Sequence, residues 1–464
     1  MILEQHYLAC LSHASYLIGD ERTRTAVVVD PQRDIERYLE SARKHGLTIR
    51  HVYLTHFHAD FMSGQLELRE RTGAEIHLGA RGAAEYPFTP ARDGDELDIG
   101  DVRLRVLETP GHTPESISIV VFDRAQSGGE PRAVLTGDAL FIGDVGRPDL
   151  LVSIGMTAQQ LASMLYDSLR DKLLPLPDAT VVYPAHGAGS ACGKNISKDA
   201  HSTLGVQKRT NWALQPQTRE QFVATLCGDQ PSAPAYFAFD ARANREQHAT
   251  LDTSLALALK PLALSEVLRL KNTGAVVLDV RDPSDYAREH LAGSTNIGLN
   301  GRYAAWAGEL LRPDQTLVLV ADIGKEREAA TRLGRIGFDR VVGFLEGGAS
   351  AFAGRAELTR GHPRIQPADL QRLLADMTPP LVVDVRAASE WTTGHIDGSR
   401  NEPLPDLRAL AAKLPRDREL VVQCLGGYRS SIACSLLEQL GFDKLRDLEG
   451  GWNAWTAARS TRVS

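Results

Sequence analysis

One pattern occurs twice in the second half of the chain, and a repeat of this length restricts that half to two copies of a single fold. Leu278-Asp279-Val280-Arg281 returns 105 residues later as Val383-Asp384-Val385-Arg386. Glu289-His290-Leu291-Ala292-Gly293-Ser294 returns at the same offset as Gly394-His395-Ile396-Asp397-Gly398-Ser399. Gly337-Phe338-Asp339 returns as Gly441-Phe442-Asp443, and Leu345-Glu346-Gly347-Gly348 as Leu448-Glu449-Gly450-Gly451. Runs of buried type at 275–280, 381–385 and 420–423 alternate with a helical stretch at 431–440. This predicts βαβ units around parallel sheets. A linker around 360–367 carries Gly361, Pro363 and Pro367.

The first ~245 residues read differently, as short apolar strands between polar loops and helices. Strands are predicted at 26–29, 51–55, 102–108, 116–122, 133–136 and 180–183. A polar segment at 240–248 closes the region. With 464 residues the length favours about three domains, which we place at 1–248, 249–362 and 363–464.

Composition narrows the function classes. The chain is 43% hydrophobic and 24% charged with a net charge of −7, so neither nucleic acid nor an anionic membrane surface is an expected partner. The opening MILEQHYLAC has no basic n-region followed by an apolar core, and no apolar run reaches the roughly 18 residues of a spanning helix. Five dispersed cysteines, Cys10, Cys192, Cys227, Cys424 and Cys434, argue against a disulfide framework and for a reducing, cytoplasmic setting.

Two clusters carry chemistry. In the first region, Thr55-His56-Phe57-His58-Ala59-Asp60 follows a predicted strand, and His112, Asp138 and His186 each stand at a later strand end. Imidazole offers neutral nitrogen and Asp an anionic oxygen, so the ordered set predicts a metal centre. In the last region, the strand at 420–423 runs into Cys424-Leu425-Gly426-Gly427-Tyr428-Arg429 and then a helix. A cysteine there faces free backbone N–H groups at a helix N-terminus, which stabilise a thiolate or persulfide anion. Gly426 and Gly427 are expected to supply left-handed backbone, and Arg429 a fixed positive charge.

The H-x-H-x-D set with its distant His, Asp and His resembles the metallo-β-lactamase superfamily. Asp384-Val385-Arg386, the Gly394–Ser399 run, the Cys424 loop and Glu449-Gly450-Gly451-Trp452 resemble rhodanese. The implied fold class is multidomain α/β: an αββα metallo-β-lactamase sandwich followed by two α/β rhodanese-like domains with parallel sheets. An ungapped alignment sets Val320 opposite Cys424 and Lys325 opposite Arg429, and no cysteine stands between Cys227 and Cys424. The middle copy is therefore expected to lack rhodanese turnover and to act as a spacer.

Within the superfamily the chain is most similar to persulfide dioxygenases fused to sulfurtransferases in bacteria. That resemblance implies one Fe(II) held by His56, His112 and Asp138, with O₂ as co-substrate. His58, Asp60 and His186 would then bond water, substrate or the ligands, or serve as alternative metal ligands. Phe61 stands where the dinuclear pattern has a further histidine, which favours a single metal. The resemblance also implies substrate contacts at Thr113, Arg147, Gly426 and Gly427, and catalytic roles for Cys424, Arg429, Asp384 and Arg386. Cys192 reads as a buried, inert thiol. The expected partners are a small thiol persulfide (glutathione, coenzyme A or similar), sulfite and thiosulfate, with a homo-oligomeric assembly. The alternative readings are a zinc thioester hydrolase similar to glyoxalase II and a non-catalytic sulfide-responsive binding protein.

Overall fold

The computed structural model describes residues 1–126, 129–150, 155–228, 230 and 233–460. It divides into two compact units, Met1–Thr253 with Gly334–Phe338, and Ser254–Leu333 with Asp339–Ser464.

The first unit is built on two six-stranded sheets. One runs in sequence order through Ile2–Leu8 (β1), His13–Asp20 (β2), Thr25–Val29 (β3), Thr48–Leu54 (β4), Glu75–Gly79 (β5) and Thr89–Ala91 (β6). The other comprises Glu96–Ile99 (β7), Val102–Glu108 (β8), Ile117–Asp123 (β9), Ala133–Gly137 (β10), Val181–Pro184 (β11) and Ser202–Thr203 (β12), also in sequence order. Tyr16, Val27, Val29 and Tyr53 of the first sheet share a buried cluster with Leu104, Val106, Ile119 and Leu135 of the second. Alternate residues on β3 and β4 face the other way and pack with Tyr38 and Ala42 of helix Glu36–Lys44. The outer face of the second sheet buries Leu165 and Phe222 of helices Ala158–Asp167 and Arg219–Cys227. Four layers follow from this period-two division of apolar residues, and they make the expected αββα sandwich. Thr157 and Thr218 start the two helices on that face, each closing a capping box with the glutamine three residues on.

The second unit holds two five-stranded sheets of one plan. Val276–Asp279 pairs in parallel with Leu317–Val320, and Leu381–Asp384 pairs in parallel with Leu420–Gln423. Every residue of Leu317–Val320, Leu381–Asp384 and Leu420–Gln423 is buried, as helices on both faces require. Asn296 and Asn401 occupy equivalent places, each donating to the main chain of the Asp-x-Arg segment of its own copy.

Two sequence expectations shift. Strand register pairs Asp279 with Val320 and Asp384 with Gln423, so Ala321, not Val320, occupies the position of Cys424. Ungapped alignment failed because the offset between copies changes within the fold; the absence of sulfur there stands. The helix after the Cys424 loop is Tyr428–Gln439, starting three residues earlier than its apolar pattern suggested. Among the described residues no helix is long and apolar enough to cross a membrane.

Candidate metal centre and sulfur-carrying loop

Strand ends bring the predicted metal residues to one edge of the sandwich. His56, His58 and Asp60 lie on the loop leaving β4, His112 follows β8, Asp138 follows β10 and His186 follows β11. All six are buried. Donor atoms of His56, His112 and Asp138 form one group, and those of His58, Asp60 and His186 another. Asp138 faces both. Its Oδ2 lies 3.5 Å from His112 Nε2 and 3.9 Å from His56 Nε2, while its Oδ1 lies 3.6 Å from His186 Nε2.

The far side of each ring explains why these Nε2 atoms are available. His112 Nδ1 donates to the main-chain oxygen of Arg147 at 2.8 Å, and His186 Nδ1 to that of Ser12 at 3.2 Å. Thr55 donates its hydroxyl hydrogen to Asp30 Oδ2 at 2.8 Å, so its oxygen accepts from His56 Nδ1 at 2.9 Å. Each ring therefore carries its hydrogen on Nδ1 and turns an Nε2 lone pair into the centre. Burial, reinforced by His58, His112 and His186, holds His56 well below the usual histidine range. Its imidazole is therefore neutral. Both carboxylate oxygens of Asp138, Oδ1 of Asp60 and Nε2 of His186 are buried without hydrogen-bond partners. Unpartnered lone pairs at this density are costly without a cation among them, and the donor set fits a divalent metal.

Sequence reading missed the residues behind the ligands. Asp30, buried and in left-handed backbone with φ 51°, accepts from Thr55 and lies 3.1 Å from His58 Nε2. A non-glycine residue held in that conformation is strained, but no local pattern announces an isolated Asp after β3. Phe61 is packed between His13 and His58, with ring centroids 4.0 and 4.4 Å away. Cys192 is buried as expected, and it also joins Asp138 and His186 as a third potential ligand. Burial, with Asp60 and Asp138 nearby, pushes its thiol well up, so it is neutral.

The proposed substrate contacts of this unit are already engaged. Arg147, 2% exposed, grips both oxygens of Asp149 at 2.7 and 2.6 Å. Thr113 is buried and bonds Ser116 through its N–H and its hydroxyl.

In the second unit Cys424 directly follows the buried strand Leu420–Gln423 and is itself 1% exposed. Gly427 N–H donates to its sulfur at 3.1 Å, and Ser430 Oγ lies 3.6 Å away. Gly427 has φ 101°, a conformation that favours glycine. Gly426 is not in the left-handed region, which corrects the expectation that both glycines are needed for it. Arg429 is forked to Glu390 at 2.6 and 2.8 Å. Arg386 is forked to Asp384 and donates to Gly394 O, while Arg281 does the same with Asp279 and Glu289 O. Since the copy without cysteine keeps this construction, the Asp-x-Arg pair serves the fold in both.

The model of the metallo-beta-lactamase superfamily matches residues 8–186, and that of the rhodanese-like domain matches 263–355 and 366–458. A crystal structure of a metallo-beta-lactamase from Staphylococcus aureus is 33% identical, with a TM-score of 0.65, covering 74% of this chain and 98% of that one. The chain belongs to the metallo-beta-lactamase superfamily and carries two rhodanese-like domains. The hydroxyacylglutathione hydrolase of Rhodospirillum rubrum is 32% identical over 52% of this chain and 85% of its own. The mitochondrial persulfide dioxygenase ETHE1 of Bos taurus is 32% identical over 37% of this chain, and the match spans 63% of that protein.

Packing gives the glycines beside the His56, His112 and Asp138 group a reason. A Cβ on Gly146 would stand 2.1 Å from Asp138 O and 3.0 Å from His112 Nδ1, and one on Gly137 would stand 2.5 Å from Thr55 Oγ1. The chain packs too tightly here for side chains at either place.

Proposed function

We propose that the first unit oxidises a low-molecular-weight thiol persulfide to sulfite and thiol at a single Fe(II), using O₂, and that Cys424 transfers sulfane sulfur. Residues 1–248, 249–362 and 363–464 would be, in turn, the dioxygenase, a rhodanese copy without its cysteine and the active rhodanese. The supporting observation is the triad: His56 and His112, with Nδ1 committed elsewhere, turn Nε2 toward a buried carboxylate whose oxygens accept no hydrogen bond. Fe(II) held there would supply the redox chemistry that dioxygen needs. The chain's own part is to keep His56 neutral, hold Asp138 between the two imidazoles and keep bulk water from these buried groups. Per turnover, one persulfide, one O₂ and one water give sulfite, free thiol and two protons.

In the second unit the Gly427 N–H and the N-terminus of helix Tyr428–Gln439 stabilise negative charge on Cys424 sulfur. Cys424 persulfide would pass its outer sulfur to sulfite, giving thiosulfate and free thiolate; the reverse step would use thiosulfate. Carriage of both sites on one chain raises the effective concentration of the shared intermediate, which suits sulfide detoxification.

A second reading rests on the group His58, Asp60 and His186, which shares Asp138 with the first, and on the hydrolase relative. It makes the centre a zinc thioester hydrolase. Metal analysis after oxygen-free purification, with oxygen uptake on glutathione or coenzyme A persulfide, decides between them. About one iron per chain and oxygen consumption are expected. An iron-loaded protein that consumes no oxygen but hydrolyses lactoylglutathione overturns the proposal. Cys424→Ser should abolish thiosulfate formation while leaving oxygen uptake with preformed persulfide intact.

A further inference from the structure

We propose a second metal site, separate from the catalytic centre, in which His51, Glu75 and His77 bind a divalent zinc-class cation across β4 and β5. Parallel register sets His51 beside Glu75, Tyr53 beside His77 and His77 beside Thr89. Strand alternation then puts all five side chains on one face. His51 Nδ1 and His77 Nε2 face each other at 3.0 Å, and Glu75 Oε2 lies 3.7 Å from the first and 3.8 Å from the second. These separations bracket the ~3.3–3.4 Å edge of a tetrahedron with bonds of ~2.0–2.1 Å, the geometry of zinc bound by histidine and carboxylate.

The surroundings hold each donor in place. The His77 ring stacks on Tyr53 with centroids 4.3 Å apart and planes 7° from parallel. Thr89 donates its hydroxyl hydrogen to Glu75 Oε1, leaving Oε2 turned to the imidazoles. This is the outer support that orients metal ligands. His51 and Glu75 open onto a cleft that Thr23, Arg50, Asp98 and Gly100 also line. Beside Glu75 the cleft adds one cation, Arg50, and one further carboxylate, Asp98, and solvent can supply a fourth ligand.

Two imidazole nitrogens 3.0 Å apart share one hydrogen in the metal-free protein. Metal binding needs both lone pairs, so that hydrogen moves to the other nitrogen of its ring. No bond to carbon changes and nothing is oxidised. The bound ion would clamp β4, the strand that runs directly into the Thr55–Asp60 loop.

The test uses the full chain with its catalytic centre preloaded with iron, titrated with zinc by equilibrium dialysis and metal analysis. Wild type should take up zinc that His51→Asn and Glu75→Gln, both at partly exposed positions, bind at least about tenfold more weakly. Zinc should also raise the melting temperature of wild type and not of these variants, while iron content and circular dichroism stay unchanged. No zinc uptake beyond the iron, or equal uptake and equal thermal shift in both variants, overturns the assignment.

Discussion

His112 donates its Nδ1 hydrogen to the main-chain oxygen of Arg147 at 2.8 Å. A proposed ligand is thereby oriented by the backbone of the 141–149 loop, whatever the Arg147 side chain does. The loop passes Asp138 with no room to spare, since a Cβ on Gly146 would meet Asp138 O at 2.1 Å. Gly146→Ala should therefore displace His112 and Asp138 together. We expect metal content at least about tenfold lower at limiting metal, read by metal analysis of dialysed protein. Full retention would show that the loop yields without moving the ligands.

Thr55 tests the same logic without a steric clash. Thr55→Val keeps the shape but removes the oxygen that accepts from His56 and donates to Asp30. His56 then loses the partner that fixes its tautomer. Metal affinity or activity should fall about 10–100-fold with little change in unfolding by urea.

Asp447 provides a pH signature of the second rhodanese-like domain. Burial raises its carboxyl to about 7, against smaller opposing effects of Ser430 and Arg364. Between pH ~4 and ~7 the folded state binds more protons than the unfolded one, so stability falls as pH rises through that window. The penalty above pH 7 is at most about 4 kcal/mol. Asp447→Asn should abolish this slope, as measured by urea unfolding at pH 5 and pH 8.

Glu438 has the opposite sign. Burial works against its charge, but bonds from His290, His362 and the N–H of Gly293 hold it well below the usual carboxylate range. Its contribution is present above pH ~4.3 and is lost as pH falls further. Glu438→Gln should lower stability at pH 7 and narrow the gap to wild type as the pH is lowered. The carboxylate also joins the two rhodanese copies, as do Ser431 with Asn296 and Tyr428 with Gly298 O. The copy without cysteine thus grips the helix that follows Cys424. We expect a loss of about 1–3 kcal/mol, and an unchanged urea midpoint would show that the other contacts suffice.

The sequence alone determined the repeat, the βαβ plan, the candidate metal-ligating set His56, His58, Asp60, His112, Asp138 and His186, and Cys424 at the head of its loop. Those conclusions rest on residue types whose chemistry is narrow and on periods of two and 3.6, which are local properties of the chain. Only the tertiary structure decided which ring nitrogen each histidine presents, that Asp138 faces two ligand groups, that Arg147, Arg386 and Arg429 are already forked to carboxylates, and that Ala321 holds the place of the missing cysteine. Asp30 behind Thr55 and the meeting of His51 with His77 belong to the same class. Hydrogen-bond partners and strand register join residues far apart in the chain, and no pattern within one segment encodes them.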